Sequence, residues 1–270
     1  MTAFPTPAWL VGCGNMAGAM VEGWRKGGID LAGVTVIRPS ATPVEGVRVV
    51  TAPPGDQSPR YVMLGVKPQK LDEVAPALAP HVGEGTLLVS MLAGVSGATL
   101  IDRFPNARAI VRVMPNLAVS QIQGVTALYR ARGGDDDFDT VTRTMSWLGM
   151  VRECPDEDSF AAIGAVAGSG PAYIARFVAA LAVGGEALGL RPRVAASVAL
   201  QTLVGTGAIV AATSESMESL ARRVASPNGT TEQGLAVLDA SDGLQPLVDR
   251  MFAAAIARGK AMAAEAAARG

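Results

Sequence analysis

The apolar run Trp9-Leu10-Val11 stops at a glycine, and the chain continues Gly12-Cys13-Gly14-Asn15-Met16-Ala17. Few spacings restrict a backbone as tightly. A short apolar run without charge predicts a strand buried on both faces. The glycine at its end permits a tight turn. The second glycine leaves the backbone bare to an approaching group, and the alanine lets the next helix pack closely on the strand. A helix read over residues 15–27 then points its free amides at whatever the turn holds. Strand, G-x-G-x-x-A and helix in succession predict a dinucleotide-binding unit. Its pyrophosphate cradle is Gly12, Cys13, Gly14, Asn15, Met16 and Ala17. A glycine turn in some other α/β fold is the alternative at this point.

The first 155 residues keep the same rhythm. Residues 34–37 (VTVI) and 61–66 (YVMLGV) read as strands, as do "TLLVSM", "AIVRVM" and "VTALY". Helical runs begin near residue 69 and after "AGVS", and a third covers residues 135–147. This alternation predicts an α/β fold, a Rossmann-type doubly wound and mostly parallel sheet. Ligands of such sheets sit beyond the carboxyl ends of the strands. The candidates there are Val66, Lys67 and Pro68 in "GVKPQ", Ala93 and Gly94 in "LAGVS", and Met114, Pro115 and Asn116 in "VMPN". After the second strand the chain reads "VIRPSATP", with Arg38 and Ser40 and no carboxylate before Glu45. An acid there accepts from the ribose of NAD, whereas an arginine pairs with a 2′-phosphate. The expected cofactor is therefore NADPH, with NADH possible. An ordinary surface arginine is the alternative for Arg38.

Past Cys154 the texture changes to Ala, Leu, Val and Gly. Helices are read over residues 158–188, 193–212, 217–223, 230–239 and 244–268. The acidic "CPDED" suits a helix start. Two units follow: 1–155, dinucleotide-binding, and 156–270, all-helical. The helical unit's apolar surface serves either a homodimer interface or a monomeric core. The formal net charge of -1 argues against a nucleic-acid or polybasic membrane footprint. Cys13 and Cys154 have no metal or redox spacing, so no metal is expected. The alanine-rich runs carry glycine and polar residues too often for an expected membrane span, and the N-terminus has no signal-peptide pattern. The expected location is cytoplasmic.

Absences narrow the chemistry. The only histidine is His81, expected at the surface, and no lysine lies between Lys70 and Lys260. A dehydrogenase that moves an alcohol proton needs such a group on its second unit. Reduction of a cyclic imine does not, because a C=N nitrogen carries its own proton and hydride completes the reaction.

In this order, "GCGNMAGAM", "GVKPQ", "LAGVS", "RVMPN", "AGSGPAY" and "ASPNGTTEQGL" resemble the pyrroline-5-carboxylate reductase family over nearly the whole chain. The resemblance implies reduction of 1-pyrroline-5-carboxylate to L-proline with NAD(P)H, the final step of proline synthesis. It implies a helical unit that interlocks two subunits, with dimers sometimes assembling further. It also places the substrate carboxylate on Ser226, Asn228, Gly229, Thr230 and Thr231, with the Thr231 hydroxyl at the ring nitrogen. Glu157 matches an acidic residue near the substrate, and residues 168–173 match a pocket-lining helix. The loop's composition agrees. Asn228 and Gly229 tolerate positive φ, which turns amides toward one point, and a helix begins near Thr230. Helix capping by Ser226 and Thr230 is the alternative for the loop, and a first-turn helix charge is the alternative for Glu157. Two departures stand out. Asn228 replaces a usual glycine, and Leu117-Ala118 replace a usual Thr-Pro. A reductase of a related cyclic imino acid and a non-catalytic NADP-binding paralogue are the competing functions.

Arg38→Ala should raise the KM for NADPH by about tenfold, the scale of one lost charge-assisted contact, and leave that for NADH nearly unchanged. Paired Michaelis constants check it, and an unchanged NADPH value rejects the role.

Overall fold

The computed structural model describes residues 4–55 and 57–267. Eight strands form one sheet: β1 (Ala8–Val11), β2 (Val34–Ile37), β3 (Arg48–Val50), β4 (Tyr61–Leu64), β5 (Leu87–Ser90), β6 (Ala109–Pro115), β7 (Gly124–Arg132) and β8 (Gly149–Cys154). Their order is β3-β2-β1-β4-β5-β6-β7-β8. All neighbours are parallel except the antiparallel pair β6 and β7. The chain leaves β1 toward β2 on one side and returns to β4 on the other. That reversal opens a crevice at the carboxyl ends of β1 and β4.

Helices cover both faces, which is why β1, β2, β4 and β5 are buried along their whole length. Ala8 and Leu10 face α1 (Asn15–Lys26) and α4 (Asp135–Ser146), packing with Met20, Trp24, Val141 and Met145. Trp9 and Val11 face α2 (Leu71–Leu78) and α3 (Gly97–Arg103), with Leu71, Leu78 and Leu100. The Trp24 indole donates to the Thr144 carbonyl at 3.0 Å and ties α1 to α4. His81 is half-buried rather than fully at the surface, and its ring meets Trp9 edge-on at 5.2 Å between centroids.

Two strands go beyond the sequence reading. β3 and β8 are the two edges of the sheet, with one strand neighbour each. β3 has three residues, and β8 exposes five positions wholly or partly to solvent along "GMVREC", so neither carries a long apolar signal. The helix read over residues 158–188 is interrupted. It comprises α5 (Glu157–Ile163), a π-helical turn (Gly164–Gly168) and α6 (Gly170–Ala187). The remaining helices are α7 (Pro192–Thr213), α8 (Met217–Val224), α9 (Thr230–Leu238) and α10 (Leu244–Ala267). Residue 268, read as the last of α10, lies outside the described residues.

By contacts the chain forms two units, Met1–Ser169 with Ala255–Gly270, and Gly170–Ala254. The change in composition at Cys154 precedes this division by one helix, because α5 packs on the sheet through Phe160, against Ala127 and Cys154. Within the second unit, Ala182, Ala195 and Ala199 form a small cluster between α6 and α7. Large apolar side chains remain open there, among them Leu181, Val183, Val198, Leu200 and Val204. The segments Glu157–Ala187 and Pro192–Thr213, with mean hydropathy 1.4 and 1.7, are long and apolar enough to cross a membrane. That corrects the expectation drawn from their glycines and polar residues. A helix apolar on every side needs a cover, and a second protein surface provides one as well as lipid does.

Gly23 of α1 lies so close to the backbone after β6 that a Cβ would collide with the Val119 carbonyl oxygen. Gly23→Ala should destabilise the fold by about 1–3 kcal/mol, as overpacking does. Urea unfolding checks it, and an unchanged midpoint contradicts this packing.

Candidate active site

The crevice at β1 and β4 is built by the first glycine. Gly12 has φ +83°, and a Cβ on it would lie 2.8 Å from Cγ1 of Val66. Both its conformation and its neighbour require glycine. Ala17 is buried and stands against Gly65, where an added Cβ would lie 3.3 Å from its own. Gly14 is the N-cap of α1, has no side-chain cap, and no acidic residue follows in the first turn. Nothing stands within 4 Å of where a Cβ on Gly14 would be. The first amides of α1 therefore face open space beside an exposed Asn15, with half-buried Cys13 and Met16 flanking them. A pyrophosphate fits such a cradle.

Arg38 directly follows β2 and is half-buried, with no ion pair among the described residues. Burial raises the Cys13 thiol pKa, and the charge of Arg38 opposes that rise. Ser40 is exposed and accepts from the Thr42 hydroxyl at 3.0 Å. After β4, Val66 and exposed Lys67 lead into a 3₁₀ turn with Pro68 at its start. After β5, Ala93 is half-buried. Gly94 has φ +75°, but its bare face is already filled. A Cβ there would lie 2.9 Å from Cβ of Met262 and 3.2 Å from its carbonyl carbon. The last turns of α10, distant in sequence, pack against Gly94.

At the end of β6, Asn116 is buried and committed to the protein. Its Nδ2 donates to the Ala167 carbonyl at 3.0 Å, and its Oδ1 accepts from the Val125 amide at 3.2 Å. Pro115 beside it is buried and Met114 half-buried. Glu157 is the first residue of α5. Its Oε1 accepts from the Gly97 amide at 2.7 Å and pairs with Nη1 of Arg112 at 3.1 Å. The structure gives this carboxylate a protein partner at the start of α3, which a first-turn helix charge alone did not foretell. Arg112 was not singled out by sequence. Its signal was a charge inside the apolar run "AIVRVM".

The loop of residues 226–231 lies in the second unit, between α8 and α9. Asn228 has φ +58°, as its tolerance of the left-handed region allows. Gly229 does not share it. Its φ is -84°, and it is glycine because a Cβ would collide with Oγ of Ser226. The expected convergence of loop amides is partly used internally. Gly229 donates to the Ser226 carbonyl at 2.9 Å, and Asn228 donates to Oε2 of Glu232 at 2.7 Å. Glu232 is the third residue of α9 and reaches back as a capping-box acid does, a signal the sequence reading passed over. The amides of Thr230 and Thr231 belong to the first turn of α9 and have no intrahelical acceptor. Capping does not use the hydroxyls, because Gly229 is the N-cap and no side chain caps it. Among the described residues, Ser226, Thr230 and Thr231 make no side-chain hydrogen bond. Behind the loop, Arg223 of α8 donates through Nε to Glu215 at 3.3 Å. That pairing holds the Glu215 carboxyl below its ordinary range and raises Arg223. Neither residue was foreseen.

A family profile described as pyrroline-5-carboxylate reductase dimerisation matches residues 157–262, which include this loop. The pyrroline-5-carboxylate reductase of Pseudomonas aeruginosa is 32% identical over 94% of this chain and 96% of its own length. The solved pyrroline-5-carboxylate reductase of Coxiella burnetii is similar with TM-score 0.85 and 30% identity, over 96% of this chain and 98% of that one. The Plasmodium falciparum pyrroline carboxylate reductase, solved with NADP bound, shares the fold at TM-score 0.84 and 23% identity, over 95% of this chain and 97% of its own. With the glycine cradle, the strand-end loops and the 226–231 loop in place, the chain belongs to the pyrroline-5-carboxylate reductase family.

Proposed function

We propose that the protein reduces 1-pyrroline-5-carboxylate to L-proline with NADPH in the cytoplasm. The observation that carries the reading is the 226–231 loop. Three hydroxyls without side-chain hydrogen-bond partners among the described residues and two first-turn amides stand together at the start of α9, within the region that matches the family. Amides and hydroxyls hold a carboxylate without an arginine, and the α9 N-terminus favours its charge.

NADPH supplies the hydride when bound. The open amides behind Gly12, Cys13, Gly14, Asn15, Met16 and Ala17 hold its pyrophosphate. Arg38 and Ser40 take the 2′-phosphate. Val66, Lys67, Pro68, Ala93, Met114 and Pro115 line the carboxyl edge beside it. Asn116 shapes that edge by fixing the backbone, and Gly94 does so by seating α10. On the substrate side, Ser226, Thr230 and the loop backbone grip the carboxylate, while the Thr231 hydroxyl meets the ring nitrogen. The C=N carbon gains hydride, its π pair becomes the nitrogen lone pair, and the proton already on the iminium remains as the amine N–H. No protein acid is required. The apolar faces of α6 and α7 are covered by a second copy of the chain, so the working form is a homodimer, with larger assemblies of dimers built from it.

Thr231→Ala should lower kcat/KM for pyrroline-5-carboxylate by about 1–3 kcal/mol of transition-state stabilisation, the scale of a hydrogen bond lost in a dry site. The KM for NADPH should stay where it is. Steady-state kinetics with both substrates varied checks this, and full activity in the variant removes Thr231 from the reacting centre.

A further inference from the structure

β6 presents one face along its length to a single segment. Arg112, Met114 and Asn116 alternate with Val111, Val113 and Pro115, so they share a side of the strand. Each meets the stretch of residues 157–168 at a different height. Arg112 pairs with Glu157 at 3.1 Å, and its guanidinium lies 4.5 Å from the centre of the Phe160 ring. Met114 lies under the π turn, where a Cβ on Gly164 would stand 3.4 Å from its Cγ and one on Gly168 3.8 Å. Asn116 takes the Ala167 carbonyl at 3.0 Å.

We infer that Arg112 and Asn116 are positioning residues for the reduction: together they fix the register of α5 and the π turn along β6, and with it the wall at the cofactor edge. The inference rests, for its kinetic half, on the functional reading above.

Three physical points support it. The Arg112 side chain is only 8% exposed. A buried guanidinium is costly, and a packed apolar residue would serve stability as well or better, so what the charge adds is a directional demand. Burial lowers the pKa of Arg112, and the charge of the partly exposed Glu157 opposes that. Next, a π turn displaces carbonyls from the regular i→i+4 ladder, and Asn116 satisfies one of them. A slip by one residue would strand the Ala167 carbonyl and drive Gly164 or Gly168 off Met114. Last, the oxygen of Glu157 that meets Arg112 also takes the Gly97 amide at 2.7 Å. Gly97 directly follows the 93–96 loop, so the same contact anchors a second loop of the cofactor edge.

The test uses the full-length protein in two forms, Arg112→Met/Glu157→Gln, which removes the pair without stranding one charge, and Asn116→Ala. In the ligand-free protein, amide hydrogen exchange over residues 157–168 should quicken by about tenfold while the sheet stays protected. In turnover, kcat should fall by about 10- to 100-fold, as misplacement of reacting groups does. The KM for NADPH should stay within about twofold, and the primary isotope effect from deuterated NADPH should grow. A purely structural role would lower Tm and leave kcat and the isotope effect unchanged below the transition. Unchanged local exchange, or wild-type kcat with the isotope effect unaltered, overturns the inference. If the double variant does not fold, Asn116→Ala is decisive by the same readings. A wild-type protein without turnover counts against the functional reading alone, and the exchange measurement then decides the register.

Discussion

β1 has a parallel partner on each side, β2 and β4. That pairing is the constraint on which the rest depends. Parallel neighbours need crossovers, so every connection among β1 to β6 begins at the same edge of the sheet. The chain departs from β1 in one direction and comes back in the other, and no helix can seal the gap at that point. Gly12 stands there with φ +83°, a conformation and a contact with Val66 that only glycine meets cheaply. The loops after β2, β4, β5 and β6 then arrive at one line of the surface. Their chemistry differs, but their common location follows from the pairing of one four-residue strand.

The second unit obeys a different rule. Its small cluster of alanines lets α6 and α7 pack closely, yet leucines and valines remain uncovered on both helices. Such a surface is unfavourable in water by about 25 cal/mol per Å² of apolar area. Its partner must be another apolar surface, and the family profile covering these helices is one of dimerisation.

Much of this was legible in the sequence, and the parts that were not share a cause. Central strands announce themselves because both faces are buried, as "YVML" and "LLVS" do. The edge strands β3 and β8 escaped, because one neighbour and a partly wet surface leave little apolar pattern. The helix at residue 15 and the glycine turn were readable from local chemistry. The π turn at Gly164–Gly168 was not, since it depends on Asn116 and Met114, which lie some fifty residues earlier in the chain and carry no local mark of it. The same holds for Gly94, whose empty side is occupied by Met262. In the 226–231 loop the backbone followed the residue types only in part. Asn228 adopts positive φ as expected, whereas Gly229 is glycine for want of space beside Ser226.

What joins the two halves chemically is a shortage. The chain's single histidine packs against Trp9, and its lysines lie at residues 26, 67, 70 and 260, none of them in the helices that flank the 226–231 loop. A cyclic iminium carries its own proton, so its reduction needs neither a histidine nor a lysine there. The direct measurement is a balance sheet of turnover with purified protein, pyrroline-5-carboxylate and NADPH. One proline formed for each NADPH oxidised, at a rate that falls as pH rises and the imine loses its proton, is the predicted result. NADPH that binds without being consumed, or proline absent from the products, would contradict the account.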